Sequence, residues 1–176
     1  HTSKRKLEQT DNLHPVLVQE GCTACHAAHS AKYKELLPQP GIDFCGECHA
    51  DIWRIARIAK VKHGAMEGGC VACHDPHGNG NPRMFTAPEK VFCVSCHEDI
   101  SEQIAVAKSQ HRPVEEGICW GCHNPHGSDH YRILKASYPE PFYAEYNKEN
   151  YQLCFMCHDN RTFLYERTSE LTGFRN

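Results

Sequence analysis

The stretch Gly117-Ile118-Cys119-Trp120-Gly121-Cys122-His123-Asn124-Pro125-His126-Gly127 carries two cysteines and two histidines within eleven residues. Its central unit, Cys-x-x-Cys-His, occurs six times and uses all twelve cysteines of the 176-residue chain. The six copies are Cys22–His26, Cys45–His49, Cys70–His74, Cys93–His97, Cys119–His123 and Cys154–His158. Because the six copies recur throughout residues 22–158, this motif decides the architecture.

Cys-x-x-Cys-His is the attachment signature of c-type haem. The two thiols form thioether bonds to the porphyrin edge, and the adjacent imidazole reaches the iron. We therefore predict six covalently bound haem c groups, attached through Cys22, Cys25, Cys45, Cys48, Cys70, Cys73, Cys93, Cys96, Cys119, Cys122, Cys154 and Cys157. The predicted proximal iron ligands are the motif histidines His26, His49, His74, His97, His123 and His158.

The motifs alternate between two kinds, which we call flanked and plain. Each flanked motif has one histidine seven or eight residues before its first cysteine and another three residues after its motif histidine. The upstream set is His14, His63 and His111, and the downstream set is His29, His77 and His126. These six are the predicted distal ligands, and a downstream histidine must reach a neighbouring haem because its own motif histidine holds the opposite face. His1 and His130 remain as spare or inter-subunit candidates.

The alternation divides the chain into three tandem two-haem repeats, approximately residues 1–49, 50–97 and 98–158, with a tail at 159–176. We expect one multihaem domain over residues 1–176, mostly irregular with short α-helices and little or no β-structure. Apolar residues at helical spacing predict a helix in each 14-residue interval after a plain motif, from His49 to His63 and from His97 to His111. With about 29 residues per motif (176/6), the interior would be largely cofactor, so folding should depend on haem.

Composition narrows the classes of function. The formal net charge is −3, and the propionates of each haem make the loaded protein more acidic, which disfavours nucleic acid as a partner. No stretch approaches the roughly 18 apolar residues of a membrane span. Haem attachment of this type takes place on the outer side of the energy-conserving membrane. We therefore expect a periplasmic or extracellular protein whose signal peptide has been removed.

The pattern Gly-x-Cys-x-x-Cys-His-x-Pro-His-Gly followed by a plain motif resembles the doubled-CXXCH family of multihaem cytochromes c. Gly117–Gly127 matches it best, whereas repeat one departs at Ala27, Ala28 and Ser30. The resemblance covers about residues 14–158. It implies closely spaced bis-histidine haems, short helices, and electron transfer between periplasmic or extracellular partners.

The resemblance also implies a possible assembly. In some multihaem cytochromes that form filaments, a histidine of one subunit completes a haem of the next. His1, which stands 13 residues before His14, and the tail Thr172–Asn176 look like unfinished repeat junctions. A homo-oligomer or filament is therefore a hypothesis for this chain.

Two function classes compete. The leading interpretation is an electron-transfer protein without catalytic residues, acting between a redox donor and an acceptor that is a protein or an extracellular oxidant. The alternative is a multihaem reductase with one open haem site, acting on nitrite, hydroxylamine or a sulfur oxyanion. Zinc sites fail on stoichiometry, because a closed site needs four ligands and one motif offers three.

Overall fold

Short helices joined by turns build the chain, as the computed structural model shows for residues 10–141 and 143–160. In these ranges β-structure is limited to three isolated antiparallel bridges, Val61 with Ser128, His74 with Phe85 and His123 with Leu134. The predicted fold class, mostly irregular with short helices and little β-structure, is confirmed. Within the same ranges, no helix is both long and apolar enough to cross a bilayer.

The α-helices of the described ranges are four to nine residues long. They are α1 (Pro15–Gln19), α2 (Gly41–Gly46), α3 (Ala50–Ile58), α4 (Glu89–Phe92), α5 (Glu98–Val106), α6 (Arg112–Glu115) and α7 (Gln152–Phe155). Single 3-10 turns begin at the first cysteine of four motifs, at Cys22–Ala24, Cys70–Ala72, Cys93–Ser95 and Cys119–Gly121. The remaining 3-10 turns are Lys34–Leu36, Gly64–Gly68, Pro82–Met84 and Tyr131–Ile133.

The helices α3 and α5 begin directly after the plain motif histidines, as the apolar spacing predicts, but each is shorter than predicted. Each has nine residues and does not fill the interval to the next upstream histidine. The helices stop because Ala59 and Ala107 adopt extended backbone, with ψ of 138° and 128°. After Ala59 the chain runs along the third repeat, where Val61 exchanges two backbone hydrogen bonds with Ser128, at 2.8 and 2.9 Å.

Successive repeats touch backbone to backbone at a glycine that follows each downstream histidine of repeats two and three. Gly78 (φ 99°) lies against repeat one, where an added Cβ would be 2.5 Å from the carbonyl oxygen of Asn12. Gly127 (φ 130°) lies against repeat two, where an added Cβ would be 2.8 Å from the Cβ of Ala59. Only glycine combines this conformation with this approach. The two glycines therefore set the distance between repeats.

The polypeptide has almost no apolar core of its own. Among the described residues, Ala59 and Leu134 are the only buried hydrophobic side chains, each 8% exposed. Burial of apolar surface is the dominant favourable contribution to folding, and two small patches cannot offset the conformational entropy of a chain this long. Apolar packing of the polypeptide alone therefore does not account for the fold of the described residues.

We predict that Gly127→Ala destabilises the haem-loaded protein more than Gly80→Ala. Both positions have positive φ, 130° and 83°, but nothing lies within 4 Å of an added Cβ at Gly80. Gly80→Ala should lower the free energy of unfolding by about 1–2 kcal/mol. Gly127→Ala adds overpacking against Ala59 and should lower it by at least about 1 kcal/mol more. Denaturant unfolding followed by circular dichroism measures both, and equal losses would contradict backbone docking at Gly127.

Candidate haem-binding site

Each motif closes one tight turn. In all six, the backbone N–H of the motif histidine donates to the carbonyl oxygen of the first cysteine, at 2.9–3.1 Å. Residues at i, i+3 and i+4 of such a turn lie on one side of it. The turn therefore gathers two thiols and one imidazole, which is the donor set that covalent haem attachment requires.

Five of the motif histidines face a second imidazole. The ring centroids are 6.0 Å apart for His14 and His49, 6.0 Å for His26 and His77, 5.9 Å for His63 and His97, 6.2 Å for His74 and His126, and 5.9 Å for His111 and His158. Two imidazoles on opposite sides of one metal ion have centroids roughly 6 Å apart, with about 2.0 Å per metal–nitrogen bond and ~1.1 Å from nitrogen to ring centre. The spacing of every pair thus fits one iron between the rings.

The pairs follow one rule that the sequence left open. An upstream histidine faces the plain motif histidine of its own repeat, as His63 faces His97. A downstream histidine faces the flanked motif histidine of the preceding repeat, as His126 faces His74. The second half of the rule agrees with the expectation that downstream histidines reach across to a neighbouring haem.

Three of the predicted ligands in the described ranges stay outside these pairs. Neither His29 nor His123 shares a ring contact with another imidazole of residues 10–141 and 143–160, and the same is true of His130. His1 lies outside the described residues, as does the tail beyond residue 160. The structure thus brings together ten of the predicted iron ligands, in five pairs.

The flanked motif histidines share a hydrogen bond that the sequence analysis missed. Their Nδ1 atoms lie 2.5–2.9 Å from a carbonyl oxygen nine residues later, in the pairs His26 and Glu35, His74 and Arg83, and His123 and Arg132. Because a carbonyl oxygen can only accept, Nδ1 carries the proton and Nε2 keeps the lone pair that binds a metal. This bond therefore selects the ligating tautomer.

An unusual backbone turn presents these carbonyl groups. Glu35, Arg83 and Arg132 have φ of 57°, 53° and 51°, in the left-handed region that residues other than glycine rarely adopt. The sequence did contain a signal: at each of these positions a charged residue is followed by two apolar ones, as in Arg132-Ile133-Leu134. The recurrence nine residues after each flanked motif histidine could have revealed the turn, but not its handedness.

The environment of the facing histidines favours their neutral form. Burial lowers the pKa of His14, His63 and His126, and the positive charge of the facing imidazole lowers it further in each case. A neutral imidazole is the form that binds iron. The protein therefore holds these side chains ready as ligands.

Thiols of consecutive motifs lie close together along the whole chain. Within each repeat the second cysteines of the two motifs are neighbours. Burial is the main cause that raises the pKa of the flanked motif's thiol, and the neighbouring thiol raises that pKa further. The pairs are Cys25 with Cys48, Cys73 with Cys96 and Cys122 with Cys157. Between repeats the first cysteines are neighbours: the thiol of Cys70 raises the pKa of Cys45, and burial followed by the thiol of Cys119 raises the pKa of Cys93. With haem attached at each motif, this order of thiols would bring the edges of consecutive porphyrins near each other.

The doubled CXXCH motif family matches residues 14–52, 63–102 and 111–163, one match per repeat. The chain belongs to this family. It is a multihaem c-type cytochrome, and its paired motifs mark covalently bound haem c as its cofactor. No curated protein matches the cytochrome's sequence. The family matches also confirm the division of the cytochrome into three tandem repeats.

We predict a distinct electron paramagnetic resonance signal for the haem between His14 and His49. The ring planes of this pair are 80° apart, whereas those of the other four pairs are 17–29° apart. Crossed imidazole planes bring the dxz and dyz orbitals of the iron close in energy. This near-degeneracy widens the g anisotropy of low-spin ferric iron. The oxidised cytochrome should show one low-spin centre with a larger maximum g value than the others. His14→Ala should remove that centre, whereas its survival in this variant would contradict the assignment.

We predict that the left-handed turn at Glu35 tolerates glycine but not a β-branched residue. Glu35→Gly keeps the carbonyl and relieves strain, so the free energy of unfolding should stay level or rise. Valine does not adopt a φ of 57° without strain, so Glu35→Val should lower the free energy of unfolding by about 1–3 kcal/mol. The hydrogen bond to His26 should be lost as well. Denaturant unfolding tests the first effect, and loss of the bond should raise the midpoint potential of one haem. Equal stability of the two variants would contradict the strained turn.

Proposed function

We propose that this cytochrome is an electron conduit, in which six covalently bound haem c groups form one continuous row between a redox donor and an acceptor. The observation that supports it is the set of five facing imidazole pairs, and the thiols of consecutive motifs are near enough to shift each other's pKa. A row without gaps is what stepwise electron transfer requires.

The proposed roles follow the sequence. The twelve motif cysteines attach the haems, the six motif histidines are proximal ligands, and the facing histidines are distal ligands. Bound haem c would supply a one-electron iron couple at each motif. Two strong nitrogen ligands leave no position for a substrate, which favours electron transfer over catalysis.

Hydrogen bonds from the protein would tune this row. The carbonyl groups of Glu35, Arg83 and Arg132 make the flanked motif imidazoles better electron donors. A more basic ligand stabilises the oxidised iron. We therefore expect the haems of flanked motifs to have lower potentials than the same sites without the bond.

The three repeats would act as one domain over residues 1–176. His77 and His126 each reach into the preceding repeat, and Gly78 and Gly127 bring the backbones together there. Ligands that cross every internal boundary make separate folding of single repeats unfavourable. The repeats should therefore unfold together when haem is lost.

The physiological setting is also a proposal. Haem attachment of this type places the cytochrome in the periplasm or outside the cell. Its partners would be redox proteins or an extracellular acceptor, and its own copies could associate into an oligomer or filament. The acidic propionates of the haems would favour partners with a basic docking face.

A reductase with one open haem site is the second candidate, and one observation favours it. His123 faces no second imidazole within the described ranges, so the haem at this motif could bind a small substrate. Turnover of nitrite, hydroxylamine or sulfite by the chemically reduced cytochrome would support this candidate. Carbon monoxide binding without turnover would show an open position only.

We predict that the oxidised cytochrome has at least five low-spin haems and that His77→Ala converts one of them to high-spin. The imidazole of His77 faces His26 at 6.0 Å, and its removal opens one coordination position. His130→Ala is the matched control, because His130 faces no imidazole in the described ranges and should leave the spin count unchanged. Resonance Raman and electron paramagnetic resonance spectra count the spin states. Several high-spin haems in the unaltered protein would contradict the conduit.

A further inference from the structure

Two of the facing histidine pairs lie at boundaries between repeats, and the two are built alike. His26 faces His77 where repeats one and two meet, and His74 faces His126 where repeats two and three meet, with ring centroids 6.0 and 6.2 Å apart. We call these pairs the first and the second boundary site. In both, the Nδ1 atom of the flanked motif histidine donates to a carbonyl oxygen nine residues later. The two sites thus share their ligand types and this hydrogen bond.

The loops that carry the downstream histidines are also alike, except in one side-chain group. Asp75 stands two residues before His77, and its Oδ1 atom accepts a hydrogen bond from the backbone N–H of that histidine, at 3.0 Å. Asn124 does the same for His126, at 3.2 Å. Aspartate and asparagine have nearly the same size and shape, so the loop keeps its geometry. The side chain is negatively charged at the first boundary site and neutral at the second.

The charge of Asp75 lies beside the imidazole of His77. Its Oδ1 atom is 3.6 Å from the Nδ1 atom of His77, too far for a direct hydrogen bond but close enough for the charge to act through space. With Nδ1 on the carboxylate side, Nε2 is left to bind a metal. A carboxylate beside the outer nitrogen of a ligating imidazole makes that imidazole more basic. The same charge stabilises ferric over ferrous iron, because ferric iron carries one more positive charge.

Two other features of the second boundary site bear on the comparison. Arg83 stands where Glu35 stands in the first site, but its guanidinium is ion-paired with Glu89, which offsets its charge. Burial is the main cause that lowers the pKa of His126. A site with less solvent also disfavours the extra charge of ferric iron, so burial acts in the same direction as the missing carboxylate. The residue two positions before the downstream histidine is the part that can be exchanged without altering the rest.

We infer that Asp75, a positioning residue that acts through His77, holds the first boundary site at a lower midpoint potential than the second. The inference rests on the proposed function, since it requires His77 and His126 to be iron ligands. The exchange concerns one electron, with ferrous iron oxidised at the first site and ferric iron reduced at the second. An electron on the row is then held more strongly where repeats two and three meet. One charged side chain thus gives a direction to a row whose ligands are the same.

The expected effect is modest because both side chains are partly in water. The side chain of His77 is 50% exposed and that of Asp75 is 37% exposed, so solvent screens the charge. We expect Asp75→Asn to favour reduction at the first boundary site by about threefold to tenfold. A factor of ten is about 59 mV for one electron.

Midpoint potentials of the haem-loaded protein test this inference. Optical spectroelectrochemistry and electron paramagnetic resonance at poised potentials follow each low-spin centre. Two reference variants assign the centres, because His77→Ala removes that of the first boundary site and His126→Ala removes that of the second. Asp75→Asn should raise the potential of the first-site centre. Asn124→Asp should lower the potential of the second-site centre by a similar factor.

Stability and spin state separate the charge from the loop hydrogen bond. Asparagine keeps this bond at position 124, so Asp75→Asn should leave the free energy of unfolding and the low-spin count unchanged. Asp75→Ala removes the bond as well, and should lower the free energy of unfolding in addition to raising the potential. Asp99→Asn is the matched charge control. Its exposed carboxylate follows the fourth motif, whereas the first boundary site belongs to the first, so the first-site potential should not change.

The outcomes separate this inference from the proposed function. An unchanged first-site potential in Asp75→Asn would overturn the inference, as would a second-site potential that Asn124→Asp does not lower. So would the reverse order of the two sites in the unaltered protein, or an equal first-site shift in Asp99→Asn. In each of these cases five or more low-spin haems leave the electron conduit standing. If neither His77→Ala nor His126→Ala removed a low-spin centre, the paired ligands would be wrong and the proposed function would fall.

Discussion

The geometry of a single motif constrains the whole molecule. One tight turn places two thiols and one imidazole on the same side, so the chain can offer only one iron ligand from within each Cys-x-x-Cys-His unit. A second imidazole has to come from another segment and from the opposite direction. The upstream and downstream histidines meet this requirement in two different ways. The first links motifs within a repeat, and the second links adjacent repeats.

These two kinds of link, within a repeat and between repeats, explain how a chain with so little apolar core can form one structure. Ordinary domains are held together by side chains that exclude water, but here only Ala59 and Leu134 are buried among the described hydrophobic residues. In the proposed arrangement, coordination bonds that cross repeat boundaries replace much of that packing. The glycines at positions 78 and 127 then need only set the distance between backbones.

The three repeats are equivalent in pattern but not in detail, and the differences cluster in repeat one. Asp75 and Asn124 each accept a hydrogen bond from the backbone N–H of the downstream histidine two residues later, at 3.0 and 3.2 Å. Ala27 has no side-chain oxygen to do the same for His29. The loop that carries His29 thus lacks a side-chain hydrogen bond that the equivalent loops of repeats two and three share.

The sequence by itself determined the cofactor class, the three repeats and the short helices after plain motifs. These features depend on residues close together in the chain: the motif spacing, and the apolar periodicity that predicts α3 and α5. The candidate ligands were also visible, because two histidine positions recur three times. What the sequence could not supply was their pairing, since either flanking histidine could serve any motif within reach.

Only the tertiary structure decided which imidazoles face each other, where α3 and α5 end, and how the carbonyl groups reach Nδ1. The pairing of His126 with His74 joins residues of different repeats, and no local pattern encodes such a distance. Beyond the end of α3, Val61 forms backbone hydrogen bonds with Ser128 of the next repeat, which no local pattern predicts. The left-handed turn at Arg132 is stable only because the surrounding repeat holds it, against the intrinsic preference of a residue other than glycine.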